Sequence, residues 1–125
     1  MRNGNARMLR PAVLLLALAL CGCVQPPERP ADEGERFTFR SASTPYTAAI
    51  CIGRNVKGRA GAAGEERTFG DSGMEVIVRS RAGAGGTLAV AQIVRDGIFA
   101  NVTVLVTKLI GADRGGFARA LMAGC

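Results

Sequence analysis

A chain of 125 residues with 16 Lys and Arg against 10 Asp and Glu, a net charge of +6, has room for one modest domain. It contains no histidine, which excludes Ser/His/Asp and Cys/His catalysis and any histidine metal site. A single tyrosine, Tyr46, and the absence of tryptophan leave none of the basic and aromatic clustering of a nucleic-acid binder, so no nucleic-acid partner is expected.

The chain opens with Arg2, Arg7 and Arg10 and continues into an uninterrupted apolar run over residues 12–20, the basic-then-apolar order of a secretory signal. Nine residues rise only about 14 Å as a helix, far short of the roughly 30 Å hydrocarbon core of a bilayer. The run is therefore read as a leader and not as a spanning anchor. It closes on Leu20, Cys21, Gly22 and Cys23. Those four residues resemble the lipobox of bacterial lipoproteins, and the resemblance covers the signal alone. It implies cleavage after Gly22, a diacylglyceryl thioether on Cys23 and an N-acyl chain on the new terminus. Cys21 is the rival site, but bulky Leu20 would then stand where the peptidase takes a small side chain. An ordinary cleaved leader followed by a disulfide cysteine is the alternative. Each buried methylene contributes about 0.8 kcal/mol, so two or three acyl chains hold a protein firmly at a membrane surface. Val24 follows Cys23. The family's inner-membrane retention signal is typically Asp there, so the resemblance implies export to the outer membrane, facing the periplasm.

Removing residues 1–22 takes away three arginines and no acid, leaving 13 basic against 10 acidic side chains and a net charge of +3. Much of the basic character thus belongs to the leader. Residues 23–40 are assigned to the lipid anchor and a flexible tether, and 41–125 to a small domain. Pro26, Pro27, Pro30 and Gly34 stand among charged residues in the tether, and proline holds such a segment extended at about 3 Å per residue.

With Cys23 acylated and Cys21 removed, Cys51 and Cys125 remain. An exported chain commonly pairs two such cysteines, and a Cys51–Cys125 disulfide is expected. Two buried thiols are the alternative. No CxxC or cysteine/histidine spacing supports a metal or redox role, and no cofactor is expected.

The first helix is predicted from Thr44, which can cap free amides, through Pro45 at the first helical position, to an end at Gly58. Ala48, Cys51, Ile52 and Val56 fall on one face of it. Asn55 lies near that face, as a buried hydrogen-bonding residue or a site. Residues 59–64 read as a glycine-rich loop, and 66–69 with 74–79 as two short strands around a turn at 70–73. The glycine-rich 82–86 lacks the GK[ST] of a phosphate loop and precedes a strand, which leaves a flexible connector.

Residues 87–95 and 98–107 flank Asp96-Gly97 and read as a tight hairpin. This turn sets Arg95 opposite Ile98, Ile93 opposite Ala100, Ala91 opposite Val102 and Ala89 opposite Val104. One surface of the hairpin is then almost wholly apolar and meets the helices. The other combines Leu88, Val90, Val94, Phe99 and Leu105 with Gln92, Asn101 and Thr103, and is a candidate interaction surface because monomers rarely leave large apolar patches open. Last comes a helix started by Gly111 or Asp113, with Phe117, Ala120, Leu121 and Cys125 on its inner face. Helix, three or four antiparallel strands and helix make an α+β two-layer sandwich.

For catalysis, Glu65 with Glu66 and Asp71 with Glu75 are the available carboxylate pairs, and Ser72 has neither G-x-S-x-G context nor a base. Solvated turn residues account for them, and no enzyme activity is expected. Arg54, Arg79, Arg81 and Arg95 offer scattered attraction for anions. The expected function is that of a noncatalytic envelope lipoprotein acting as an interaction or assembly accessory. Its partners are the membrane through the lipid, an envelope protein and, as a further candidate, a second copy of the chain. The alternative is a periplasmic module that binds lipid, peptidoglycan or another anionic glycan.

Overall fold

The computed structural model describes residues 34–125. The expected leader at 1–22, Cys23 and the tether up to residue 33 lie outside the described residues. Seven elements follow one another: β1 (Gly34–Ser41), α1 (Pro45–Lys57), β2 (Ala62–Phe69), β3 (Gly73–Ser80), β4 (Thr87–Asp96), β5 (Phe99–Thr107) and α2 (Arg114–Met122). The α+β class is as expected. The sheet, however, has five strands in the order β1-β5-β4-β3-β2, and every neighbouring pair is antiparallel.

The extra strand corrects the domain boundary, because residues 34–40 belong to the sheet and not to the tether. Phe37 and Phe39 alternate with Arg36, Thr38 and Arg40, the period of a strand with one buried face. Both rings pack against the core, and all eight residues pair with β5. Similarly, the stretch 59–64 is not wholly a loop. β2 begins at Ala62, whose side chain is buried, and pairs with β3 over its full length.

α1 forms where its caps place it. Thr44 Oγ1 accepts from Thr47 N at 3.2 Å, Pro45 begins the helix, and Arg54 and Lys57 complement the negative end of the dipole. Ala48, Ala49, Ile52 and Val56 are its buried side. The helix carries the chain across the sheet from β1 at one edge to β2 at the other and packs over β2, β3 and β4, while α2 covers β5 and β1. Ala89, Ala91 and Ala100 lie beneath the helices among Val76, Val78, Val102, Val104 and Val106. Small residues on the middle strands allow close helix approach.

At the β4–β5 hairpin the register differs from expectation. Asp96 pairs with Phe99, so Gly97 and Ile98 form the two-residue loop, and Ala91 faces Val104 instead of Val102. Gly97 has φ +62°, which suits the first loop position of a type II′ turn. The partner moves by two residues, so the pleat leaves each side chain on its expected face. On α2 the inner face consists of Phe117, Ala118 and Leu121, and Ala120 is exposed.

Candidate functional site

Among the described residues both helices lie on one side of the sheet, and the other face is built from β-strand side chains. The observed registers order that face into rows that cross the strands. One row runs Arg36, Leu105, Val90, Ile77, Glu65 from β1 to β2. The next runs Thr38, Thr103, Gln92, Glu75, Arg67. An aliphatic strip with a charge at either end thus lies beside a polar strip.

Glu75 is the centre of the polar strip. Its residue is only 7% exposed, and its two carboxylate oxygens accept from different donors: Arg67 Nε at 2.9 Å and Gln92 Nε2 at 3.1 Å. The pairing satisfies a charge that would be costly to bury alone. Next to it the face dips into a hollow of about 250 Å³, with Ile77, Val90 and Leu105 as floor and Arg36, Arg67 and Arg79 among the rim residues. Arg79 also meets Glu65, at 3.3 Å between exposed side chains.

The five side chains expected to form one apolar contact surface do not behave alike. Leu105 is 6% exposed and forms part of the hollow's floor, where Val90 joins it half-buried. Leu88 departs further. Val78 pairs with Ala89 but Arg79 with Thr87, which leaves Leu88 without an opposite residue, and it packs against the helix-side core. Phe99 is roofed by the guanidinium of Arg40, 4.1 Å from its ring centroid. Val94 remains open at 45%. It belongs to a different cluster, at the end of the sheet where Phe69 pairs with Gly73 and the β4–β5 loop carries Ile98; Phe69 is 39% and Ile98 82% exposed.

Cys51 of α1 and Cys125 after α2 form a disulfide, with their Cα atoms 5.7 Å apart. Asn55, one turn along α1 from Cys51, donates to the carbonyls of Leu121 and Ala123. It works as a brace for the end of α2.

Among the described residues the carboxylate pairs singled out in the sequence do not converge in a cleft. Glu65 and Glu66 alternate across β2, Asp71 is exposed in the turn, and Glu75 is engaged by Arg67 and Gln92. Among the described residues no three His, Cys, Asp or Glu side chains group as metal ligands, and no helix is long and apolar enough to cross a membrane. Of the four arginines singled out in the sequence, only Arg79 lines the hollow; Arg36 and Arg67 join it there. That trio was hidden because its members come from three strands and meet only through the register. No protein-family model, curated protein or solved structure matches the chain.

Proposed function

We propose that this chain is a noncatalytic envelope lipoprotein, held by an acylated Cys23 at the outer membrane and facing the periplasm, that acts as an interaction or assembly accessory. One observation carries the reading. Among the described residues, the helix-free face of the sheet exposes Phe69 and Val94, and the adjoining β4–β5 loop exposes Ile98, at the end opposite Gly34, where the anchored segment joins. β1 spans about 24 Å between those ends at roughly 3.4 Å per residue. A chain tethered at Gly34 therefore presents its apolar corner away from its own anchor, where a partner protein can bury it.

A photo-cross-linking residue placed at Val94 or Ile98 in living cells tests this. One defined envelope protein should be trapped from these positions and not from Lys57 on the helix side, and Ile98→Asp should abolish the adduct while far-UV circular dichroism stays unchanged. Equal trapping from Lys57, or an adduct indifferent to Ile98→Asp, overturns the reading. A product made only of the chain itself assigns the corner to a homo-oligomer instead.

The hollow favours a second reading, a periplasmic ligand-binding lipoprotein. Its floor and convergent polar groups follow the general pattern of a small-molecule site. Lipid, peptidoglycan and other anionic glycans are the ligand classes open to it.

A further inference from the structure

We propose that the hollow binds a single-chain aliphatic carboxylate, with its hydrocarbon laid across Leu105, Val90 and Ile77 and its head group at Arg36. This rests on the second reading above and names its ligand class.

The chemistry of the lining selects the class. The floor is aliphatic, and among the described residues no aromatic side chain lines the hollow, so they offer a sugar ring no stacking platform. The charge selects the head group. Three arginines line the hollow against one carboxylate, and both oxygens of that carboxylate, on Glu75, are already accepting hydrogen bonds. The surplus is positive. Arg67 is committed to Glu75 at 2.8 Å. Arg79 is held only by an exposed bridge to Glu65, an interaction worth little in water, so its field remains available to a ligand. The Arg36 side chain makes no ion pair or hydrogen bond among the described residues. It lies directly beside Leu105, at the end of the aliphatic row. A carboxylate on Arg36 therefore directs its chain over β5, β4 and β3, a path of about 10 Å at the usual strand spacing.

Size narrows the class further. A volume of about 250 Å³ corresponds to roughly eight waters at about 30 Å³ each. That suits one medium chain and not a two-tailed phospholipid.

The test uses the exported chain with Cys23→Ser behind an ordinary cleavable leader. Both helices, the described core cluster and the disulfide lie within 34–125, so the substitution at Cys23 removes no residue of the described fold. Decanoate is titrated while the backbone amides are followed by NMR, with acetate, decyltrimethylammonium and phosphatidylglycerol vesicles as comparison probes. Saturable decanoate shifts centred on Val90 and Leu105 are expected, with neither acetate nor the cationic amphiphile reproducing them. Arg36→Gln should weaken decanoate about tenfold, the loss of one charge-assisted hydrogen bond, and Arg36→Lys should recover part of it. Lys57→Gln should change nothing. Equal binding of the cation, equal binding of acetate, binding to vesicles alone, or no saturable shift each overturns the assignment. If decanoate fails to bind while Val94 still traps a defined protein in cells, the ligand reading falls and the interaction reading stands.

Discussion

Asn55 Nδ2 lies 2.8 Å from the carbonyl oxygen of Leu121, and the same amide donates to Ala123 at 2.9 Å. The last carbonyls of a helix have no partner within it. One side chain on α1 therefore supplies the end of α2 with two of the donors it lacks. Its Nδ2 is also 3.4 Å from Cys125 Sγ, and Ser41 Oγ donates to Cys125 O at 2.7 Å. Thus β1, α1 and α2 are fastened at one corner.

Asn55→Ala should lower unfolding free energy by about 1–2 kcal/mol, since it removes the donor from a part-buried hydrogen bond to Leu121 and an exposed one to Ala123. Asn55→Asp should cost more, because it points an anion at those same oxygens. Urea denaturation of the oxidised proteins measures both, with the midpoint expected to fall and the slope unchanged. Equal midpoints for the two variants would count against the brace.

The covalent bond at this corner spans 74 residues. On the chain-entropy model, closing a loop of that length is worth about 4.5 kcal/mol. The Cys51→Ala, Cys125→Ala double variant should lose most of that amount, and adding a reductant to the parent should reproduce the loss. The two single variants should each match the double variant, since either one removes the whole constraint. The expected disulfide needed nothing beyond two cysteines on predicted inner helix faces in a chain whose leader reads as an export signal. The braces beside it were less visible, because Ser41 and Asn55 are polar residues whose partners are backbone atoms far along the chain.

What was legible depended on how locally each feature is encoded. α1 carries its own instructions in Thr44, Pro45 and Gly58, and its predicted limits hold. The β4–β5 hairpin carries its alternation locally, which placed Ala89, Ala91, Ile93, Val102 and Val104 on the core side despite the two-residue error in pairing. β1 was harder. Its Phe37 and Phe39 follow a proline-rich charged stretch, and only the uncovered edge of β5, invisible in sequence, shows that they complete a sheet. The site was least legible. The Glu75 network joins β2, β3 and β4, and its alignment depends on two registers at once.

Two glycines make opposite forecasts. A Cβ at Gly73 would stand 2.6 Å from Phe69 O and 2.8 Å from Ile93 O. Both are backbone atoms of neighbouring strands, which cannot withdraw without opening the ladder, so Gly73→Ala should cost about 1–3 kcal/mol. Gly58 ends α1 with φ −77° in the right-handed region, and a Cβ there meets Asn55 O at an ordinary 3.5 Å. Gly58→Ala should therefore be neutral or stabilise by about 0.4–1 kcal/mol through the unfolded chain. Thermal melts of the pair should move in opposite directions, or the second should not move.

The pairing of Glu75 with Arg67 predicts an asymmetry between its two halves. Glu75 is nearly buried and Arg67 mostly exposed, so the two groups give up water to very different degrees. Arg67→Ala leaves a buried carboxylate with Gln92 as its remaining donor, and should cost about 1–3 kcal/mol, the penalty for under-satisfying a buried acceptor. Glu75→Gln keeps the shape but removes the charge, leaving Arg67 able to turn towards water, and should cost about 1 kcal/mol or less. In the Arg67→Ala, Glu75→Gln double variant the penalty from the stranded carboxylate disappears, so it should be more stable than Arg67→Ala alone. A double-mutant cycle from urea unfolding measures this coupling. Strict additivity would mean that Glu75 is comfortably hydrated without Arg67, and that the polar strip owes its order to the strands and not to the ion pair.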